Sequence, residues 1–197
     1  MPFFHLYGLT TSLNLPIALG ATLFLKARFE VEDVLKSIQR HQPTVFAGVP
    51  AMYLAIKNFP GVRKYGINSI KACLCGSAPL LLEVQEAFEK LTRGRLVEGY
   101  GLTEAGPVTH GTPLHGKRKA GSIGIPLPST EARVVSLQDG TQEVGVGEIG
   151  ELAVRGAQVV INLVGVLFER RRQNFQAVHA DGARHIAAAA AAAGAQL

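Results

Sequence analysis

Between residues 44 and 100 short apolar runs alternate with amphipathic helical patterns, and this alternation restricts the fold more than any other feature of the chain. "TVFAGV" (residues 44–49) reads as a strand and is followed by the helical "PAMYLAIKNF", with Pro50 suited to a first turn. "IKACLCG" is the next strand. After it, Pro79 is expected to open a helix whose Leu81, Val84, Phe88 and Leu91 form an apolar stripe, closed by Gly94. "RLVEGY" is a further strand. Upstream, "ATLFL" (residues 21–25) also reads as a strand, and "VEDVLKSIQRHQ" places Val31, Val34, Leu35 and Ile38 on one helical face. Strand, helix and strand in repetition imply an α/β fold, a parallel sheet with covering helices.

Beyond Pro128 the texture changes to short alternating segments, "EARVVS" and "GELAVRG", separated by the polar "LQDGTQEVGVGEIG". That pattern predicts a small antiparallel, barrel-like portion after the α/β part. The final stretch fits neither pattern, with an arginine run and seven consecutive alanines. The expected organisation is therefore residues 1–127 as α/β, 128–160 as antiparallel β, and 161–197 as a low-complexity tail.

Nearly half the residues are hydrophobic, which places the chain among globular rather than disordered proteins. Its formal charge of +5 says little about nucleic acid, because four arginines in the tail face only Glu169 and Asp181 and leave +3 for the body. No nucleic-acid partner is expected. Asn14 and Pro16 interrupt the greasiest early segment, so no run reaches membrane-spanning length, and the N-terminus lacks the cationic start of a secretion signal. A cytoplasmic, reducing location is the expectation. Cys73 and Cys75, two apart on a strand, point to one face and read as buried core thiols rather than half of a zinc site.

In an open parallel sheet ligands sit at the carboxyl ends of the strands. Three such ends carry small-residue loops here: "AGVPAM", "CGSAPL" and "GYGLTEAGP". Gly76, Ser77 and Ala78 would let a flat ligand approach the backbone, and a helix opening at Pro79 would aim free amides at the same space. Two other matches carry less. "GTPLHGKR" imitates a phosphate-binding P-loop but has Arg118 at the Ser/Thr position and no preceding strand. "GVGEIG" is followed by the strand-like "ELAVRG", so it is a turn between strands rather than a dinucleotide fingerprint. His110 and His115 read as loop histidines without a third metal ligand. "MPFFHLYG" reads as a segment that is buried or lines a pocket.

Taken together and in order, "PFFHLYG", "GVPAMY", "CGSAPL", "EGYGLTE", "GSIGIP" and "GEIGELAVRG" resemble the adenylate-forming family of acyl-CoA synthetases, firefly luciferases and nonribosomal adenylation domains. Within it, the likeness is to bacterial-type long-chain fatty acid CoA ligases. It covers roughly residues 1–160 and implies part of the N-terminal domain of that fold. The activity it implies has two steps: a carboxylate attacks the α-phosphate of ATP to give an acyl adenylate and pyrophosphate, and the thiol of coenzyme A then displaces AMP. The co-reactants so implied are ATP, Mg2+ and coenzyme A, and the substrate is a small carboxylate, a fatty acid. Peripheral membrane association through such a substrate is a further expectation.

The resemblance also implies roles. Tyr100 resembles the ring that stacks on adenine, with Gly101 beside it, and Gly76, Ser77, Ala78 and Pro79 resemble the adenine-side wall. Thr103 resembles the hydroxyl that contacts phosphate and Glu104 the magnesium ligand. His5, beside Phe4, resembles the residue near the acyl carboxylate that also gates the acyl channel. The family's Ser/Thr/Gly-rich phosphate loop, its ribose-binding aspartate motif and its mobile C-terminal domain have no match here. The expectation is an incomplete chain with little or no ligase turnover, its tail read from a shifted frame or an unrelated junction. The alternatives are a non-catalytic remnant that binds nucleotide, or adenylate chemistry with a carrier-protein thiol as acceptor.

Overall fold

The computed structural model describes residues 1–156, so the expected 161–197 tail lies outside the described residues. The described residues divide into two compact units, one of Met1–Leu102 with Pro107–Leu127, the other of Thr103–Gly106 with the described residues from Pro128 onward.

In the first unit, strands β1 (Val45–Gly48), β2 (Ala72–Cys75) and β3 (Arg95–Gly101) run parallel in that order. Helices α3 (Val31–His41), α4 (Pro50–Lys57) and α5 (Leu82–Thr92) supply the cover. Val34, Leu35 and Ile38 from α3, Tyr53 and Ile56 from α4, and Val84, Phe88 and Leu91 from α5 form one core. They meet Cys73, Cys75 and Leu96 from the sheet. The two cysteines share a face because strand side chains alternate, and both are fully buried. A short helical run precedes these elements: α1 (Leu6–Leu9), a π-helical turn (Thr10–Asn14) and α2 (Leu15–Ala18).

Four local expectations are corrected. Residues 21–25 form no strand, since no neighbouring strand supplies a ladder; Phe24 instead stacks on His41, with ring centroids 4.1 Å apart. The helix expected to open at Pro79 begins at Leu82, because Leu81 is extended (φ −69°, ψ 134°) and takes the N-cap position. Its C-cap is Arg93 in the left-handed region (φ 61°) rather than Gly94. Gly94 is demanded by packing, as a Cβ there would come within 2.6 Å of the Ile70 carbonyl oxygen. The antiparallel pattern also starts before Pro128: β4 (Val108–Gly111) and β5 (Ile125–Pro126) extend the parallel sheet in antiparallel sense. His110 is thus a strand residue and buried, not a loop histidine, whereas His115 is exposed in a loop.

In the second unit, β6 (Thr130–Val135) pairs antiparallel with β7 (Glu151–Gly156). Among the described residues this is a two-stranded sheet. The "GVGEIG" stretch is the turn region leading into β7, where the Gly145 amide bonds Glu148 Oε2 at 2.7 Å. No helix among the described residues is long and apolar enough to cross a membrane.

Candidate functional site

The carboxyl ends of β1 and β2 are tied together by two tyrosines. Tyr7, in the first turn of α1, donates its hydroxyl to Leu74 O at 2.6 Å and lies 3.2 Å from Gly48 O. Tyr53, on α4, also donates to Leu74 O at 2.6 Å. Burial raises both phenols well above the usual tyrosine range, so both remain protonated donors. His5 sets the start of α1: its Nδ1 accepts the Tyr7 amide at 3.2 Å while the ring itself is exposed. Phe4 beside it is 89% exposed, against the expectation of a buried or pocket-lining side chain, whereas Tyr7, Gly8 and Leu9 are buried.

The 76–80 loop follows β2 and is anchored at both ends. Gly76 is buried, and a Cβ there would sit 3.4 Å from the Tyr7 ring and 3.5 Å from Gly99 O. Ser77 adopts the left-handed region (φ 68°), which costs a non-glycine residue about 1–2 kcal/mol. At the far end the Leu80 amide donates to Glu98 Oε1 at 3.2 Å. A hydrogen bond to a charged group contributes about 1.5–3 kcal/mol, enough to offset the Ser77 strain. Between the anchors Ser77, Ala78 and Pro79 are exposed, presenting backbone to solvent.

Tyr100 stands next to Gly99 on β3 and is half-buried. His110 on β4 supports its ring edge-on, with centroids 6.1 Å apart and planes at 70°. His110 Nδ1 pairs with Thr109 Oγ1 at 2.9 Å, and burial lowers the His110 pKa, so the ring stays neutral at physiological pH. The pairing of β3 with β4 shifts register between Tyr100 and Gly101. A Cβ at Gly101 would overlap the Pro107 carbonyl, so this glycine answers to its own backbone neighbour.

Of the residues singled out from sequence, Gly76, Ser77, Ala78, Pro79, Tyr100 and Gly101 therefore gather at one sheet edge. His5 is linked to it through Tyr7. Thr103 and Glu104 follow in a short 3-10 turn (Thr103–Ala105), both exposed, and belong to the second unit. The donor set admits a flat ligand, with exposed loop backbone at the strand end and a supported aromatic ring beside it. No cluster of three metal-ligating side chains occurs among the described residues. Glu104 alone still fits magnesium, which keeps several waters and takes one or two carboxylates together with phosphate oxygens.

Sequence reasoning passed over Tyr7 and Glu98 and read His110 as a loop residue. Only the alternation in "VTHG" hinted that His110 faces inward; the partners of Tyr7 and Glu98 lie far away in sequence. Leu80 and Glu98 also line a cavity of about 300 Å3, shared with Thr112, Arg118 and Ser122. Its outer loop is held by Arg118, which grips Glu89 with both guanidinium nitrogens at 2.6 and 3.2 Å.

Residues 1–161 match the family described as AMP-binding enzyme. A long-chain-fatty-acid–CoA ligase of Bacillus subtilis is 48% identical over 160 residues, which are 81% of this chain and 28% of that ligase. The crystal structure of the anthranilate CoA ligase AuaEII in complex with anthranoyl-AMP superposes with a TM-score of 0.72 at 26% identity, covering 78% of this chain and 30% of that one. ATP-bound MatB from Rhodopseudomonas palustris gives a TM-score of 0.71 at 27% identity, covering 79% and 30%. The chain thus spans less than a third of the length of each of these relatives.

Proposed function

This chain belongs to the family of AMP-binding enzymes, and we propose on that premise that its sheet edge is the adenine-binding part of an ATP-dependent acyl-CoA ligase. The observation that carries the reading is the 76–80 loop, held to β3 at Gly76 beside Gly99 O and at Leu80 on Glu98, with the supported ring of Tyr100 on the same strand. A purine slides between a peptide wall and an aromatic face, where stacking contributes about 1–3 kcal/mol. Gly76 keeps the wall close to β3, and Gly101 ends that strand, with Leu102 and Thr103 next in the chain.

The reaction proposed is attack of a carboxylate on the α-phosphate of ATP, with loss of pyrophosphate, followed by displacement of AMP by the thiol of coenzyme A. Within it Thr103 would donate its hydroxyl to a phosphate oxygen, and Glu104 would hold magnesium. The metal, when bound, neutralises phosphate charge in the manner common to phosphoryl transfer. His5 accepts the Tyr7 amide at Nδ1, so in its neutral form Nε2 carries the proton and is the atom offered to the acyl carboxylate. The likeness to the Bacillus subtilis ligase supports a long-chain fatty acid as the carboxylate, and with it peripheral contact with membranes that hold such substrates. A cytoplasmic location accords with two buried, reduced thiols.

Calorimetry with ATP and magnesium tests the reading. Tyr100→Ala is expected to weaken binding by roughly 10- to 100-fold and Tyr100→Phe to leave it within about twofold. Equal affinity of wild type and Tyr100→Ala refutes the assignment of the stacking face.

A further inference from the structure

The first glutamate of "EGYGLTE", Glu98, has no part in the roles above, yet it makes the bond that ends the 76–80 loop. We propose that Glu98 is a positioning residue: its carboxylate clamps the Leu80 amide and thereby sets the distance between the 77–79 backbone and the Tyr100 ring. The proposal rests on the reading of that edge as a nucleotide site.

Glu98 and Tyr100 are two apart on β3 and leave the strand on the same face. On that face Glu98 stands beside Cys75, its registered neighbour on β2, and Leu96 points into the core. The loop leaves β2 at Gly76, pressed between the Tyr7 ring and Gly99 O, and must return toward α5. On the way it passes through Ser77 in a conformation that an L-residue resists. Pro79 has no amide to donate, so the first amide past the exposed stretch is that of Leu80, and Glu98 Oε1 takes it at 3.2 Å. The Glu98 carbonyl is itself fixed by the Thr112 amide at 2.9 Å, which holds the clamp's base to the residue that follows β4. Loop and ring are thus both referred to β3, one through a side chain and the other directly. A wall so placed is ready before the ligand arrives, and the ordering cost is not met at binding.

The clamp needs an oxygen acceptor at a particular reach. Glu98→Gln keeps both; Glu98→Asp keeps the charge but is one methylene short; Glu98→Ala loses both. Amide hydrogen exchange by NMR reads the bond at Leu80, with the Phe88 and Leu96 amides as controls for the fold, and calorimetry with ATP reads its consequence. Glu98→Ala and Glu98→Asp are expected to speed Leu80 exchange and weaken ATP binding, each by roughly tenfold, while Glu98→Gln stays within about twofold on both. Unchanged Leu80 protection in Glu98→Ala and Glu98→Asp overturns the clamp. Loss of protection with ATP affinity unchanged overturns its positioning role. Wild type that fails to bind ATP, with Leu80 protection still dependent on Glu98, sinks the nucleotide reading and upholds the clamp as the anchor of the loop.

Discussion

Glu89 and Arg118 offer the sharpest test of how the loop beside the 300 Å3 cavity is held. Their side chains are only 19% and 22% exposed, and the pair is bidentate. Glu89 Oε1 also accepts the amide of fully buried Leu96 at 2.8 Å. Removing Glu89 therefore breaks the ion pair and the short amide bond, while removing Arg118 breaks the ion pair and only a long 3.5 Å bond to Leu96 O. A charge-assisted bond to a buried amide contributes about 1.5–3 kcal/mol, and an ion pair that solvent still reaches in part, about 1 kcal/mol. Glu89→Ala should then cost about 3 kcal/mol and Arg118→Ala about 1 kcal/mol. In the double-mutant cycle the pair should couple by about 1 kcal/mol. Urea unfolding followed by circular dichroism measures this; with a slope of about 2 kcal/mol per molar, Glu89→Ala lowers the midpoint by roughly 1.5 M. The pH dependence supplies a second reading. Burial by itself would raise the Glu89 pKa, but the Arg118 hydrogen bond, the Leu96 amide and the guanidinium charge outweigh it and hold the carboxyl below its usual value. A carboxyl depressed on folding stabilises above its unfolded pKa of about 4.3, and the gain fades as pH falls through the folded value. The difference between wild type and Glu89→Gln should thus shrink between neutral and acidic pH. Equal costs for Glu89→Ala and Arg118→Ala, or a coupling below about 0.3 kcal/mol, would refute the reasoning.

Gly101→Ala places a Cβ against the Pro107 carbonyl and is expected to lower the melting temperature by about 5 °C or more, as read by scanning fluorimetry; an unchanged melt would show that the bulge can relax. Arg93→Gly relieves a left-handed residue at the end of α5 and should raise stability by about 1 kcal/mol, measured by urea unfolding; no gain would mean that Arg93 is not strained there. Burial, reinforced by Glu89 near Cys73 and by Glu98 near Cys75, pushes both thiols up to about 12. Neither should react with a disulfide reagent at about pH 8 in the native protein, and both should react in denaturant; fast native labelling would contradict the burial.

The sequence by itself determined the alternation of three helices with the three parallel strands, the common face of Cys73 and Cys75, and the stripes of α3 and α5 except at Leu81, which precedes α5 and is exposed. Hydrophobic period is a local property, and Val84, Phe88 and Leu91 bury what the period of α5 presents. It also determined where the small-residue loops fall, since a strand end followed by Gly-Ser-Ala can be read without knowing its neighbours. Tertiary structure decided what local pattern cannot carry. Residues 21–25 have strand propensity but no ladder partner, and a strand exists only with one. The left-handed cap went to Arg93, because Gly94 was claimed by the carbonyls of Ile70 and Lys71. Tyr7 reaches acceptors 41 and 67 residues away, and Glu98 finds its amide at Leu80, 18 residues back. His110 became buried because β4 joined β3 antiparallel. A polar side chain buried or half-buried must find a partner, but which partner depends on how distant strands and loops meet, and that is written in the packing rather than in any short stretch of residues.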